Sequence, residues 1–235
     1  MNDSHEHETE PPASGGQASS SPLISALSHL RASSRTSGAG DGSGQSFSAS
    51  FAALLDWGDA QGFLKQESDF PFLTESPTAQ GHEHQAWYDP KSNRWFKATY
   101  DNKFGLAWGR DGTATPIEYL ERLRLQNVCF GDDVHLEALI NCKGKLRVLT
   151  SQPNINGEPA PAELIKQWFE VLGFQRIEAG GSVAWYDEGT NLLIADAHEG
   201  NVIITEDSIL VPIDLNITEP GEDMKREILL LIRGE

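Results

Sequence analysis

Residues 192–216 read LLIADAHEGNVIITEDSILVPIDLN, and three polar side chains in this apolar run decide how the chain is read. Asp196 and Asn201 stand five apart in a loop after a strand-like stretch, and Asp214 lies thirteen further on, at the end of another apolar strand. A loop carrying Asp-x4-Asn, followed by strand, turn and strand ending in Asp, delivers two carboxylates and an amide to one place. Phosphoryl transfer needs an aspartate to orient and deprotonate an attacking hydroxyl, and oxygen ligands to hold Mg²⁺ on the phosphates. Asn201 and Asp214 carry hard oxygens of the kind Mg²⁺ prefers. Taken alone, Asp196, Gly200 and Asn201 also suit a plain turn between strands.

Working outward, residues 84–100 alternate as two strands around a turn at Asp89–Asn93, a hairpin that carries Lys97 on its second strand. Thr115-Pro116-Ile117-Glu118 then opens a helix. Thr115 is its N-cap, Pro116 suits the first helical position, Glu118 completes a capping box, and the helix is expected to run to about Asn127. A second hairpin covers residues 134–151 around Asn141–Gly144. A Pro-, Asn- and Gly-rich linker follows over 152–161, then a helix over 162–172 that stops at Gly173. The remainder is short strands and an apolar terminal helix near 225–232. Upstream, 47–66 reads as a short helix. The fold class is α+β with a hinge near 151–160, and no internal repeat is visible.

The first fifty residues look different. They hold 14 serines and 6 glycines, and their large apolar side chains are limited to Phe47 and an island of Leu23, Ile24, Leu27 and Leu30. Too little apolar surface is available to offset the entropy of ordering such a segment, so a disordered tail over 1–50 is expected, with 1–45 dispensable for folding. The expected divisions are this tail, a short helix and connector over 51–74, an N-terminal lobe over 75–151 and a reduced C-terminal lobe over 152–235.

The chain holds 18 Lys and Arg against 35 Asp and Glu, a formal net charge of −17. A surface this acidic repels phosphate backbones and carries no local basic patch, so nucleic acid is not an expected partner. Cys129 and Cys142 are too few for a disulfide scaffold and read as buried or half-buried thiols in a reducing compartment. No run reaches membrane-spanning length and no signal-peptide core opens the chain, so no membrane partner and a cytoplasmic location are expected.

The segment Asp196-Ala-His-Glu-Gly-Asn201 resembles the catalytic loop of the protein-kinase superfamily, above all the DxHxxN form of aminoglycoside and choline kinases. Asp214-Leu-Asn216 stands where protein kinases carry Asp-Phe-Gly. Gly81-His-Glu-His84, Pro116-x2-Tyr-Leu-x-Arg-Leu-x3-Asn127, Phe130-Gly-Asp-Asp133 and Thr150-Ser-Gln-Pro153 resemble the kinase domain of polyvalent proteins from phages and conjugative elements, over roughly 75–220. That resemblance implies a small two-lobed kinase-like fold that binds ATP and Mg²⁺. It implies that Asp196 is the catalytic base and that Asn201 and Asp214 hold the metal. Lys97 would hold the phosphates and Glu121, placed beside Ile117, Leu120 and Val128, would orient Lys97. Gly81 would cover the phosphates, and Ser151 and Gln152 would line the hinge that meets adenine. The acceptor would be a hydroxyl of a protein or a small molecule.

The sequence departs from the kinase pattern at several points. It has no GxGxxG, Ile194 replaces the histidine two before Asp196, Asn216 replaces a glycine, and no Ala-Pro-Glu follows Asp214. The 21 residues after Asp214 leave no room for a full C-terminal lobe. These departures leave a pseudokinase open beside an active phosphotransferase, and the mobile-element association adds an effector acting on host protein. His82 and His84 form at most half of a zinc site, without a third ligand. His198 reads as a structural residue of the loop, and Trp87, Trp95, Trp108, Trp168 and Trp185 as core.

Overall fold

The computed structural model describes residues 21–36, 47–105, 107, 113–142, 144–179 and 181–234. It has the small two-lobed α+β fold expected of a kinase-like chain. Helices α1 (Pro22–Thr36) and α2 (Phe47–Ala60) come first. The N-terminal lobe is then built on strands β1 (Leu64–Lys65), β2 (Ala79–Gln80), β3 (His84–Asp89) and β4 (Arg94–Thr99), helix α3 (Pro116–Phe130), and strands β5 (His135–Cys142) and β6 (Lys145–Pro153). The six strands form one sheet in the order β1-β5-β6-β4-β3-β2, with α3 entering the chain between β4 and β5.

Both expected hairpins form. β3 pairs antiparallel with β4 across a turn in which Asn93 takes a positive φ of 53°, and β5 pairs with β6 across Gly144 at φ 80°. The capping box at Thr115 is present, with the Thr115 side chain accepting from the Glu118 amide and Glu118 accepting from the Thr115 amide. The helix continues one turn beyond the expected end and stops at Gly131, which is left-handed at φ 66°.

The N-terminal segment is where the structure corrects the sequence reading. Residues 22–36 form a helix, and Leu23, Ala26, Leu27 and Leu30 are all at most 2% exposed. They join a core with Leu54 and Trp57 of α2, Tyr119, Leu120 and Leu123 of α3, and Leu139, Leu146 and Val148 of the sheet. Trp57 Nε1 also donates to Ser25 Oγ at 3.1 Å. The expectation failed because it weighed the segment's average composition. An i, i+3, i+4, i+7 set of four apolar side chains is enough when a preformed groove receives it. Residues 1–20 and 37–46 of the expected tail lie outside the described residues. The N-terminal lobe thus draws on residues from 22 onward, not from 75. The opposite sheet face is covered by the connector, where Phe70, Phe72 and Leu73 pack on Trp87, Phe96, Ala98, Ile140 and Leu149.

The C-terminal lobe comprises β7 (Glu158–Pro159), α4 (Ala162–Val171), β8 (Gln175–Ala179), β9 (Ser182–Asp187), β10 (Leu192–Ala195), β11 (Val202–Ile204), β12 (Leu210–Pro212), β13 (Asn216–Thr218) and α5 (Glu222–Arg233). Period-two alternation divides its main sheet, β13-β10-β9-β8, between two helices. Trp185, Ile194 and Ile217 face Ile165 and Phe169 of α4, with the Phe169 and Trp185 rings stacked at 5.1 Å. Ala184, Tyr186, Leu193 and Ala195 face Ile228 of α5. β12-β11-β7 make a second, three-stranded sheet. Trp87 and Trp185 are core as expected, Trp95 and Trp168 are partly buried, and Trp108 lies outside the described residues. Cys129 is exposed, contrary to expectation, and the side chain of Cys142 lies outside the described residues. Among the described residues no helix is long and apolar enough to cross a membrane.

The docked helix has a measurable consequence. Leu27→Ala should cost roughly 2–5 kcal/mol, the usual range for emptying a buried leucine site. Arg31→Ala, whose side chain is half exposed, should cost less than about 1 kcal/mol. Urea unfolding of the two variants checks both; a Leu27→Ala midpoint equal to wild type would mean that α1 is not part of the core.

Candidate active site

The site is assembled by a hairpin, a strand and a helix. β11 and β12 pair with Val202 opposite Pro212, and the Ile213 amide extends the ladder by donating to Asn201 O at 2.9 Å. This register brings Asn201, just before β11, beside Asp214, two residues after β12. The turn after β10 supplies Asp196, whose backbone is left-handed at φ 60°. That region is sparsely used by residues other than glycine and is tolerated best by Asp and Asn. Asn201 Nδ2 donates to both Asp196 O (2.9 Å) and Asp196 Oδ2 (3.0 Å), which settles the orientation of the amide and turns its oxygen away from Asp196. His198 completes the loop by accepting from the Gly200 amide at Nδ1, with Nε2 3.4 Å from Asp196 Oδ1.

From the other lobe, Lys97 on β4 crosses the cleft. Its Nζ donates to Ile213 O at 3.1 Å and lies 3.5 Å from Asp214 Oδ2. Lys97 and the carboxylate that the sequence singled out thus meet across the cleft. Burial pushes the Asp214 carboxyl up, but Lys97, His84 and Arg122 outweigh it and hold its pKa at about 2. Burial also pushes the Asp196 carboxyl above its ordinary value; His198 opposes this, while the nearby charges of Asp214 and Glu83 add to it. The two carboxyl groups are thus pushed in opposite directions, Asp214 down and Asp196 up. Carboxylate and amide oxygens are the donors a hard divalent cation takes.

Glu121 is not in this site. Its carboxylate is held by Arg31 of α1 (2.8 Å) and Arg124 (2.6 Å) on the outer side of α3. The apolar stripe used to place it was misleading, because Val128 is 67% exposed and α3 is buried on more than one side. The side of α3 that lines the cleft carries Tyr119, Arg122 and Gln126. Arg122 is 6% exposed and pairs with Glu83 at 2.6 Å. Burial would push that guanidinium down, but the Glu83 charge outweighs it and holds it well above its ordinary range. Where a lysine–glutamate pair was expected, the protein has Lys97–Asp214 and Arg122–Glu83.

The remaining expected residues divide. Gly81 is exposed, and a side chain added there would meet nothing within 4 Å, so the space above the loop is open. Ser151 and Gln152 do lie where β6 leaves the sheet, but their side chains are committed internally. Ser151 Oγ donates to Glu137 and accepts from Arg94, and Gln152 Nε2 donates to Asp132 at 2.6 Å. The Ser151 main chain is engaged too, accepting from Arg94 at Ser151 O between its two neighbouring strands, whereas Gln152 lines the cleft. Among the described residues no three His, Cys, Asp or Glu side chains group to hold a metal.

His84 was missed as a site residue. It is 7% exposed, with Nε2 2.9 Å from the Tyr119 hydroxyl and Nδ1 3.9 Å from Asp214 Oδ2. Burial, opposed by Asp214, lowers its pKa to about 4. Arg122 and Gln126 were missed too. All three lie within stretches quoted for the resemblance, but only the fold shows which of their residues point inward. A cavity of about 20 Å³, room for one water, lies among Lys97, Asp214, His84, Tyr119, Arg122 and Gln126.

The geometry can now be set beside known proteins. No curated protein and no solved structure matches the chain. Residues 52–218, well over half of the chain, match the family described as "Serine/Threonine/Tyrosine Kinase found in polyvalent proteins". The match takes in α2, the Lys97 hairpin, α3, the Asp196 loop and Asp214. By that match the chain belongs to the kinase domains of polyvalent proteins.

Proposed function

We infer that this kinase domain binds Mg²⁺–ATP in the cleft between its lobes and transfers the terminal phosphoryl group to a hydroxyl of a protein or a small molecule. The observation that carries the reading is the convergence of Lys97 and Asp214 across the cleft, with Asn201 and Asp196 fixed beside them by the β11–β12 register. Lys97 supplies the cation for the phosphates. Asp214 and Asn201 would hold Mg²⁺, which supplies charge neutralisation on the phosphates when bound. Asp196 orients the acceptor hydroxyl and takes its proton; its raised pKa suits that task better than the lowered one of Asp214.

A second reading, a pseudokinase that binds nucleotide without transfer, draws on a separate observation. The α3 glutamate proposed from sequence is turned away, so Lys97 has no helix carboxylate to orient it and leans on Asp214 instead.

Two experiments test the site. Lys97→Met should weaken ATP binding roughly ten- to a hundredfold, the worth of a charge-assisted hydrogen bond or two, without loss of fold. Equal binding by variant and wild type in calorimetric titration would remove the phosphate-holding role.

Asp214→Asn and Asp196→Asn should fail differently. Asp214→Asn removes ground-state metal binding and should weaken Mg²⁺–nucleotide affinity along with any activity. Asp196→Asn should leave that affinity within a few fold and lower phosphoryl transfer by roughly 10²–10⁴. Titration with a non-hydrolysable ATP analogue, beside transfer of label from γ-labelled ATP, separates them. Binding lost in Asp214→Asn with no transfer by wild type would select the pseudokinase.

A further inference from the structure

The His82-Glu83-His84 stretch is not absorbed by the site roles above, yet it sends two side chains into the cleft. Glu83 goes to Arg122 and His84 goes to Asp214. Both contacts to the Asp214 carboxylate, from Lys97 Nζ at 3.5 Å and from His84 Nδ1 at 3.9 Å, fall on Oδ2. Among the described residues nothing bonds Oδ1.

The His84 ring cannot turn freely. Its Nε2 meets the Tyr119 hydroxyl at 2.9 Å, and Tyr119 is 1% exposed. A neutral imidazole carries one proton, so two arrangements exist. If Nε2 donates to Tyr119, the bare Nδ1 lone pair faces an ionised carboxylate, which is repulsive. If Tyr119 donates to Nε2, the proton sits on Nδ1 and faces Asp214 Oδ2, which is attractive. With Tyr119 donating to Nε2, Nδ1 carries a proton toward Asp214 Oδ2, and the partner on the far nitrogen orients the near one, as outer partners do for ligands of bound metals.

We propose that His84 is a positioning residue for Asp214: held by Tyr119, it fixes Oδ2 together with Lys97 and leaves Oδ1 directed to the divalent cation. The inference rests on the reading of Asp214 as a magnesium ligand. It assigns to a residue of the N-terminal lobe the task of orienting the metal carboxylate of the other lobe.

The test uses the full chain, Mg²⁺ as the titrant and a non-hydrolysable ATP analogue. His84→Leu should weaken Mg²⁺ affinity in the presence of the analogue by roughly 10–100-fold, the usual worth of an outer partner of a metal ligand. Affinity for the analogue in EDTA should change by less than about twofold, a difference of a few tenths of a kcal/mol, which reports an intact cleft. His84→Asn keeps an amide N–H near the position of Nδ1 and should recover most of the lost Mg²⁺ affinity. Tyr119→Phe, which frees the ring, should fall between them. Unchanged Mg²⁺ affinity in His84→Leu would overturn the proposal, and so would a His84→Asn variant as weak as His84→Leu, since that would reduce His84 to packing. If His84→Leu does not fold, the ordering of His84→Asn and Tyr119→Phe decides the same question. A wild-type chain that binds the analogue no better with Mg²⁺ than in EDTA overturns the proposed function and this inference with it; wild-type binding with unaffected variants overturns the inference alone.

Discussion

Helix α3 is buried on three sides at once, and that constraint shapes the rest of the molecule. Leu120 and Leu123 enter the core shared with α1, α2 and the large sheet, while Leu125 enters the core of the C-terminal lobe. Between these, Tyr119, Arg122 and Gln126 line the cleft. One helix therefore belongs to both lobes, and its rotation about its axis decides what the cleft contains. Three devices fix that rotation. The capping box at Thr115 sets the start of the helix, and Arg31 of α1 clamps Glu121 from outside. At the far end Gln126 donates to Asp132 and to Pro212 O, tying the helix to the strand that leads into Asp214. Docking of α1 is thus coupled to the active site through the helix it covers.

The cleft works against the charge of the whole chain. With a net charge of −17, the protein gathers Lys97 and Arg122 at the junction of its lobes and surrounds each with one carboxylate. A buried cation is tolerated only when paired, and the loss of one partner costs more than the pair contributes. In the free protein Asp214 neutralises Lys97 through Oδ2; in the proposed complex Oδ1 would take the cation while the phosphates share Lys97.

Much of this was legible in the sequence because it is local. The hairpins, the capping box and the spacing of Asp196, Asn201 and Asp214 are set by turn chemistry and strand register within a few residues. Glu121 was misplaced for the opposite reason. Choosing which face of a helix meets the cleft requires knowing what covers the other faces, and α1, from a serine-rich stretch, covers one of them. The same gap hid Leu27 and Leu30, whose burial depends on a groove made by residues as distant as Leu146. His84 was passed over because a buried histidine that touches a carboxylate looks, in sequence, like any histidine in a strand.

The loop at residues 81–84 shows how the pieces replace a glycine-rich cover. Such a loop normally owes its close approach to phosphates to glycine flexibility. Here Gly81 is the single glycine, and its backbone stays outside the left-handed region. Position comes from anchors instead: the Gly81 amide donates to His84 O, the Tyr100 hydroxyl donates to Gly81 O, and Glu83 and His84 reach into the cleft. Glu83 fits because Gly105, left-handed at φ 84°, has no side chain; a Cβ there would come within 2.9 Å of the carboxylate carbon. A loop tied at both ends, by buried His84 and by half-buried Glu83, owes its position to these anchors, and through Arg122 and Tyr119 they tie it to α3, the helix that both lobes share.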